Sequence, residues 1–269
     1  MSAPAAPGSW RVLSTGDQEE VVLACDFPTP IRPEATFADL ASRLRPARTV
    51  WEALPPPAGA ERGWSARDYL AGWLDGLPAT GARISAVLGF CAGSVFAAAV
   101  ADRVARWQAD APELVLFDPE RPTAGALYAQ YHRGAELFGS VLSPQEVADV
   151  LRRGQELLHA NDDVQVFGPA LSELYVSAGD TAFERVGLDP VRRAELSATF
   201  TSFVNWVVAA DQLDPTPAWA RATVVGSATR GGTDLGGREL RVDVEHVDLL
   251  RADAVAGVLS GLLSPVPNG

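Results

Sequence analysis

The sequence predicts an α/β protein with a mainly parallel central sheet, helices on both faces and a block of helices inserted late in the chain. Three observations point there. Short β-branched runs alternate with helical patterns as far as Asp118, the rhythm of strand–helix–strand units. From about residue 123 to 213 helical periodicity continues without a convincing strand, after which two strands return. The apolar run 84–89 passes through the turn Gly89-Phe90-Cys91-Ala92-Gly93 straight into an alanine-rich helical segment.

The elements follow in order. Strands are expected at 10–15 and 21–27, and the second is apolar almost throughout, as a strand covered on both faces is. A helix fits 37–44 and a strand 48–54, closed by Pro55-Pro56-Pro57. A helix at 65–77, a strand at 84–90, a helix at 92–108 and a strand at 113–117 complete the first part. Pro119 stops that last strand, because proline has no N–H to give to a ladder. Apolar positions then recur at helical spacing: Leu127, Tyr131, Leu137 and Phe138, later Val147, Val150, Leu151, Leu157 and Leu158, later still Phe200, Phe203, Val204 and Val207. Strands at 222–227 and 239–244 and a helix at 247–263 end the chain. The expected organisation is a core of 1–122 and 214–269 with a helical lid of 123–213. Aromatic lid residues such as Phe167, Tyr175, Phe200, Phe203 and Trp206 either wall an acyl channel or pack the lid onto the core.

Composition excludes several functions. A net charge of −12 and a pI near 4.7 leave no basic face for phosphate contacts, so no nucleic-acid partner is expected. Every cationic side chain is an arginine, and without lysine there is neither Schiff-base chemistry nor a P-loop lysine. Residues 1–10 carry no charged-then-apolar secretory pattern, which leads to an expectation of a cytoplasmic protein. The apolar stretch 84–101 approaches membrane-spanning length, yet Ser85, Gly89, Gly93 and Ser94 interrupt it, and it reads as a core strand and buried helix; no membrane is expected. Two cysteines are too few for a disulfide scaffold or a structural zinc site, and Cys25 reads as a small residue of a buried strand. No metal-ligand spacing, dinucleotide fingerprint or phosphate loop occurs, so no cofactor and no metal is expected.

The chemistry gathers at the turn. Strand, sharp turn and helix around G-x-C-x-G form the context of a nucleophile elbow, with Cys91 where such elbows usually carry serine. A cysteine nucleophile needs a base, and the base an orienting acid. Of three histidines, His132 and His159 fall in the lid, whereas His246 follows the last strand at the same sheet edge as the elbow. Asp118 ends the strand after the elbow helix; Asp234, in a glycine-rich loop, is the alternative acid, and the better-positioned strand end favours Asp118. The order Cys91, Asp118, His246 is that of α/β-hydrolases, and proximity to His246 is expected to lower the thiol pKa. The backbone N–H of Ala92 is the expected first oxyanion donor, the second coming from the loop after Cys25.

Elbow, acid on the next strand, helical lid and a histidine before the last helix together resemble the thioesterases that release products of polyketide and nonribosomal peptide assembly lines. Phe27-Pro28 and the segment 37–44 resemble their oxyanion loop and first helix. The exchange of serine for cysteine, with no carrier domain within the 269 residues, most resembles the tetramate-forming Dieckmann cyclases. That resemblance implies an α/β-hydrolase fold, a Cys91–Asp118–His246 triad and an acyl or peptidyl carrier protein as partner. It also puts Pro30 at or next to the second oxyanion position, so that the backbone donor either shifts to Thr29 or Ile31 or is absent. Docking of an equally acidic carrier would use local arginines such as Arg121, Arg133, Arg152 or Arg153. The leading expectation is release of a β-ketoacyl-aminoacyl chain as a tetramic acid. A thioesterase that hydrolyses or macrocyclises acyl-carrier thioesters is the alternative, and a non-catalytic hydrolase-like binding protein the third.

Overall fold

The structure, a computed structural model, describes residues 4–29, 31–57, 59–230 and 237–264. Seven strands form one sheet in the order β1-β3-β2-β4-β5-β6-β7. They are β1 Trp10–Ser14, β2 Glu20–Cys25, β3 Thr49–Ala53, β4 Arg83–Phe90, β5 Glu113–Phe117, β6 Thr223–Gly226 and β7 Arg238–Arg241. Only β1 runs antiparallel to its neighbour, β3; the remaining pairs are parallel. Each strand lies where the sequence predicts it, with ends displaced by a few residues at most.

The helices are α1 Phe37–Ala41, α2 Ala66–Leu74, α3 Gly93–Val104, α4 Ala124–Glu136, α5 Pro144–Ala160, α6 Val164–Arg185, α7 Pro190–Asp211, α8 Thr216–Trp219 and α9 Asp253–Leu262. Capping boxes start three of them, with Thr36 and Asp39, Ser65 and Asp68, and Ser143 and Glu146 exchanging side-chain and backbone hydrogen bonds. The helices predicted at 37–44 and 92–108 are shorter, Phe37–Ala41 and Gly93–Val104, and two others are cut by identifiable breaks. That expected at 65–77 ends at Leu74, because Asp75 is extended and Gly76 left-handed. That expected at 247–263 divides into a 3-10 turn, His246–Arg251, and α9, because the extended Ala252 breaks the helical path.

Alternation along the central strands feeds two cores. Val21, Leu23 and Cys25 face α2, α3 and the inserted helices, whereas Val22 and Ala24 face α1 and α9 through Phe37, Leu40, Val255 and Leu259. Helices therefore cover both faces, and β2 needs apolar residues on each. The four helices α4–α7 lie between β5 and β6 in the chain and pack on the α2–α3 face. Most of their aromatic residues make that packing: Phe167, Tyr175, Phe200 and Trp206 are buried, and the Tyr175 and Phe200 rings stack at 4.0 Å. No described helix is long and apolar enough to cross a membrane.

One close approach fixes how α3 enters the core. A Cβ added at Gly93 would lie 2.2 Å from the Cys25 carbonyl oxygen, and one at Gly89 2.5 Å from the Ser94 Cα. The turn from β4 into α3 thus presses backbone to backbone against β2, beside which β4 runs with Gly89 opposite Cys25. Gly93→Ala must move one of these backbones, and a loss of about 1–3 kcal/mol is expected, read as a lower urea midpoint with an unchanged slope.

Candidate active site

Cys91 and Asp118 are the two non-glycine residues with left-handed backbone among the described residues, at φ 50° and 41°. Such angles are costly for side-chain-bearing residues and persist where surrounding hydrogen bonds impose them. At Cys91 the N–H donates to Phe117 O at 3.0 Å, and the carbonyl accepts from Ser94 N at 3.1 Å and Glu120 N at 3.3 Å. At Asp118 the N–H donates to Val225 O at 3.1 Å. Phe90 pairs with Phe117, so both residues step off neighbouring strands at one level and one edge.

His246 reaches the same edge from the other side of β6. Its backbone N–H donates to Thr229 Oγ1 at 3.1 Å, and its ring lies flat on Phe90, 5.0 Å between centroids. Its Nδ1 is 2.6 Å from Asp118 Oδ2, while Asp118 Oδ1 accepts the Ser227 N–H at 2.8 Å. Burial alone pushes Asp118 up, but the hydrogen bonds from His246 and Ser227 outweigh it and hold the carboxyl below its usual range. An ionised carboxylate only accepts, which places the imidazole hydrogen on Nδ1 and leaves Nε2 as the basic nitrogen. The predicted Asp118–His246 pair is thus in contact. His132 instead lies 3.6 Å from Glu136 on α4, and His159 is exposed on α5. Asp234, the alternative acid, lies outside the described residues.

The nucleophile's surroundings differ from expectation. The Cys91 thiol donates to Glu120 Oε2 at 3.4 Å, and among the described residues no hydrogen bond joins it to His246. Glu120 is in turn ion-paired with Arg230, from the loop after β6. Burial, then the Glu120 charge, pushes the Cys91 thiol up to about 12, with Arg230 and the Ala92 amide pulling the other way. The expectation of a lowered pKa is therefore corrected: the free site holds a neutral thiol. Cys25, also free, is fully buried, and burial raises its pKa as well.

Cys91 and His246 open into a cleft of about 1100 Å³, its mouth included. Ala92, at the start of α3, lines it. Thr29 and Ile31 are not among its lining residues, and Pro30 lies outside the described residues. Between them the Arg32 N–H donates to Thr29 O, closing a turn. The Arg32 side chain binds Asp26 with both terminal nitrogens, at 2.7 and 2.6 Å. From this part of the chain Asp26, Phe27, Arg32 and Glu34 line the cleft. Across from them stand α4, through Ala126, Ala129, Gln130 and Arg133, and α7, through Phe203 and Trp206. Arg121 also lines it, whereas Arg152 pairs with Glu156 on α5 and Arg153 lines a separate hollow between α4, α5 and α6. Among the described residues no group of three or more His, Cys, Asp or Glu is arranged to hold a metal ion.

Glu120, Arg230 and Arg32 were not foreseen. Glu120 follows Asp118 by two residues, which is the one sequence signal for it; the arginines reach the site through loop paths that no periodicity encodes.

Two outcomes follow for the thiol. Alkylation of Cys91 by iodoacetamide should accelerate with pH across 7 to 10 without a plateau, as a thiol titrating near 12 requires. Glu120→Gln removes the negative neighbour, so the titration should move down and alkylation at pH 8 rise on the order of tenfold, measured by intact mass.

No protein-family model matches this chain, and no curated protein sequence does. Solved structures do. The NocB thioesterase domain, in covalent complex with a fluorophosphonate nocardicin G analog, is similar with a TM-score of 0.53 and 14% identity over 95% of this chain and 100% of that one. The Vlm2 thioesterase domain bound with a dodecadepsipeptide is similar with a TM-score of 0.51 and 12% identity over 95% and 96%. A hydrolase from Oleispira antarctica gives a TM-score of 0.51 and 14% identity over 94% and 93%. A four-domain nonribosomal peptide synthetase gives a TM-score of 0.60 and 16% identity over 97% of this chain, which spans about a fifth of that synthetase, 20% of its length. The mostly parallel seven-stranded sheet, its flanking helices and these likenesses establish an α/β-hydrolase fold.

Proposed function

We propose that this protein is a thioesterase-like offloading enzyme that takes a β-ketoacyl-aminoacyl chain from a carrier-protein thioester onto Cys91 and releases it by Dieckmann condensation as a tetramic acid. One observation carries the reading: a cysteine at a left-handed strand–helix turn shares a cleft with His246, whose Nδ1 lies 2.6 Å from Asp118 Oδ2. In this reading 1–122 and 214–269 form the hydrolase core, and 123–213 is the lid whose α4 and α7 wall the acyl chain. The partner is an acyl or peptidyl carrier protein; neither cofactor nor metal takes part.

The steps balance with one base. Substrate entering the cleft displaces Glu120 from the thiol, and His246 Nε2 takes the Cys91 proton as sulfur attacks the carrier thioester carbonyl. The phosphopantetheine sulfur leaves with that proton. Ala92 N–H faces the developing oxyanion at the start of α3. His246 next removes a proton from the carbon between ketone and amide, and the enolate attacks the Cys91 thioester carbonyl. A carbon–carbon bond forms, the Cys91–carbonyl bond breaks, and sulfur recovers the proton from His246. Asp118 holds the imidazole tautomer and stabilises its charged form. A cysteinyl thioester suits this exchange because it forms from another thioester at little cost and is far more open to carbon nucleophiles than an oxoester. Lid helices around it keep water from competing.

Incubation with a synthetic β-ketoamide thioester should give the tetramic acid, identified by mass. Free acid as the sole product overturns cyclisation in favour of a hydrolytic thioesterase. Cys91→Ala should lose the acyl adduct that intact mass detects on the wild type; unchanged turnover in that variant would overturn covalent catalysis altogether. Asp118→Asn should fold and still lose on the order of 10³-fold or more in turnover, because the imidazole is then held in the wrong tautomer.

A further inference from the structure

Four arginines line the cleft, and three of them are neutralised by acids of this chain: Arg32 by Asp26, Arg121 by Asp214 and Arg230 by Glu120. Arg133 differs. Among the described residues it makes neither an ion pair nor a hydrogen bond, and its buried Nε has no acceptor. This is not for want of acids, since the chain carries 34 acidic residues against 22 basic ones. A half-buried guanidinium with open donors in a cleft is an unmet requirement for a negative charge.

The helix carrying it is arranged for a ligand. Ala126, Ala129, Gln130 and Arg133 line the cleft from α4 at spacings of three, four and seven residues, one helical face. The two alanines leave room along that face, and the Gln130 amide stands one turn from the guanidinium with donors of its own. This wall lines the same cleft as Cys91 and Ala92. A group bound there belongs to the molecule whose thioester reaches the sulfur.

We propose that Arg133, with Gln130 beside it, is an anion-recognition subsite that takes a negatively charged group of the thioester substrate at a distance from the reacting carbonyl. The proposal rests on the carrier-thioester reading of the cleft but not on cyclisation. Its chemistry is that of a phosphate or carboxylate: a planar fork of N–H donors plus an amide donor. Two parts of such a substrate supply that chemistry, the phosphate of the phosphopantetheine arm and a carboxylate on the acyl chain. The subsite also supplies discrimination, because a neutral analogue leaves the guanidinium desolvated and unpaired.

Thiol release from soluble thioesters tests this. One neutral acyl chain is presented on phosphopantetheine and on pantetheine, which differ by the phosphate alone; acyl chains with and without a terminal carboxylate are then compared on pantetheine. The wild type should prefer one anionic member by on the order of tenfold or more in KM, as a charge-assisted hydrogen bond provides. Arg133→Gln should bring that ratio close to one, and Arg133→Lys should keep part of it. Preference for the phosphate assigns the arm, and preference for the carboxylate assigns the acyl chain. No preference in the wild type, or the same preference in Arg133→Gln, overturns the proposal. Should the glutamine variant not fold, free phosphopantetheine inhibiting the wild type no better than pantetheine, together with no preference for an acyl carboxylate, overturns it equally. Because thiol release is counted whichever product forms, a hydrolysed product would overturn cyclisation while leaving the ratios to judge Arg133.

Discussion

Three backbone hydrogen bonds hold the left-handed residue Cys91 at the edge of the sheet, and the cleft is built outward from them. Without the bond to Phe117 O, a cysteine at φ 50° would relax toward the ordinary helical region, a change worth about 1–2 kcal/mol. The constraint reaches further through its partners. The Cys91 carbonyl also receives the Glu120 N–H, so the loop that brings the acidic side chain to sulfur is tied to the nucleophile's own backbone. Gly93, pressed onto the Cys25 carbonyl, prevents α3 from backing away. Cys91 is held by main chain on the strands at either side.

Asp118 and Cys91, on neighbouring strand ends, are shifted in opposite directions, and the causes separate cleanly. Asp118 is buried and Cys91 partly so, and this desolvation disfavours charge on each. Asp118 receives an imidazole and a backbone amide and stays ionised; Cys91 faces a carboxylate and stays neutral. Two groups whose pKa values are pushed apart differ in charge near neutral pH, one held as an anion and the other keeping its proton. The difference makes the Glu120–Arg230 pair part of the site's electrostatics rather than of its rim.

Much of this was legible in the residues, for identifiable reasons. The strands declared themselves through β-branched runs, and α3 through the glycine-flanked turn ahead of it. Asp118 and His246 were legible because each stands at a strand end or just beyond one, where the chain position fixes the edge. Side chains arriving from loops were not. Nothing in the spacing of Arg230 or Arg32 says that their side chains reach the cleft, as both do. The direction of the thiol's titration was missed for a different reason: the expectation weighed the histidine and left out burial and the carboxylate. The break at Ala252 went unseen because alanine is a good helix former, and only its extended backbone divides the last helix.

The two outer strands of the sheet carry a further consequence. An open sheet of seven strands ends in two rows of unpaired backbone groups, on which another chain can add itself. Here β7 is four residues long and reads Arg-Glu-Leu-Arg, three of them charged, while β1 at the opposite end is distorted between Val12 and Ser14 where its register with β3 slips. Charge on one margin and a bulge on the other both discourage a further strand from joining. Among the described residues the sheet that carries the cleft thus has a device against strand addition at each margin.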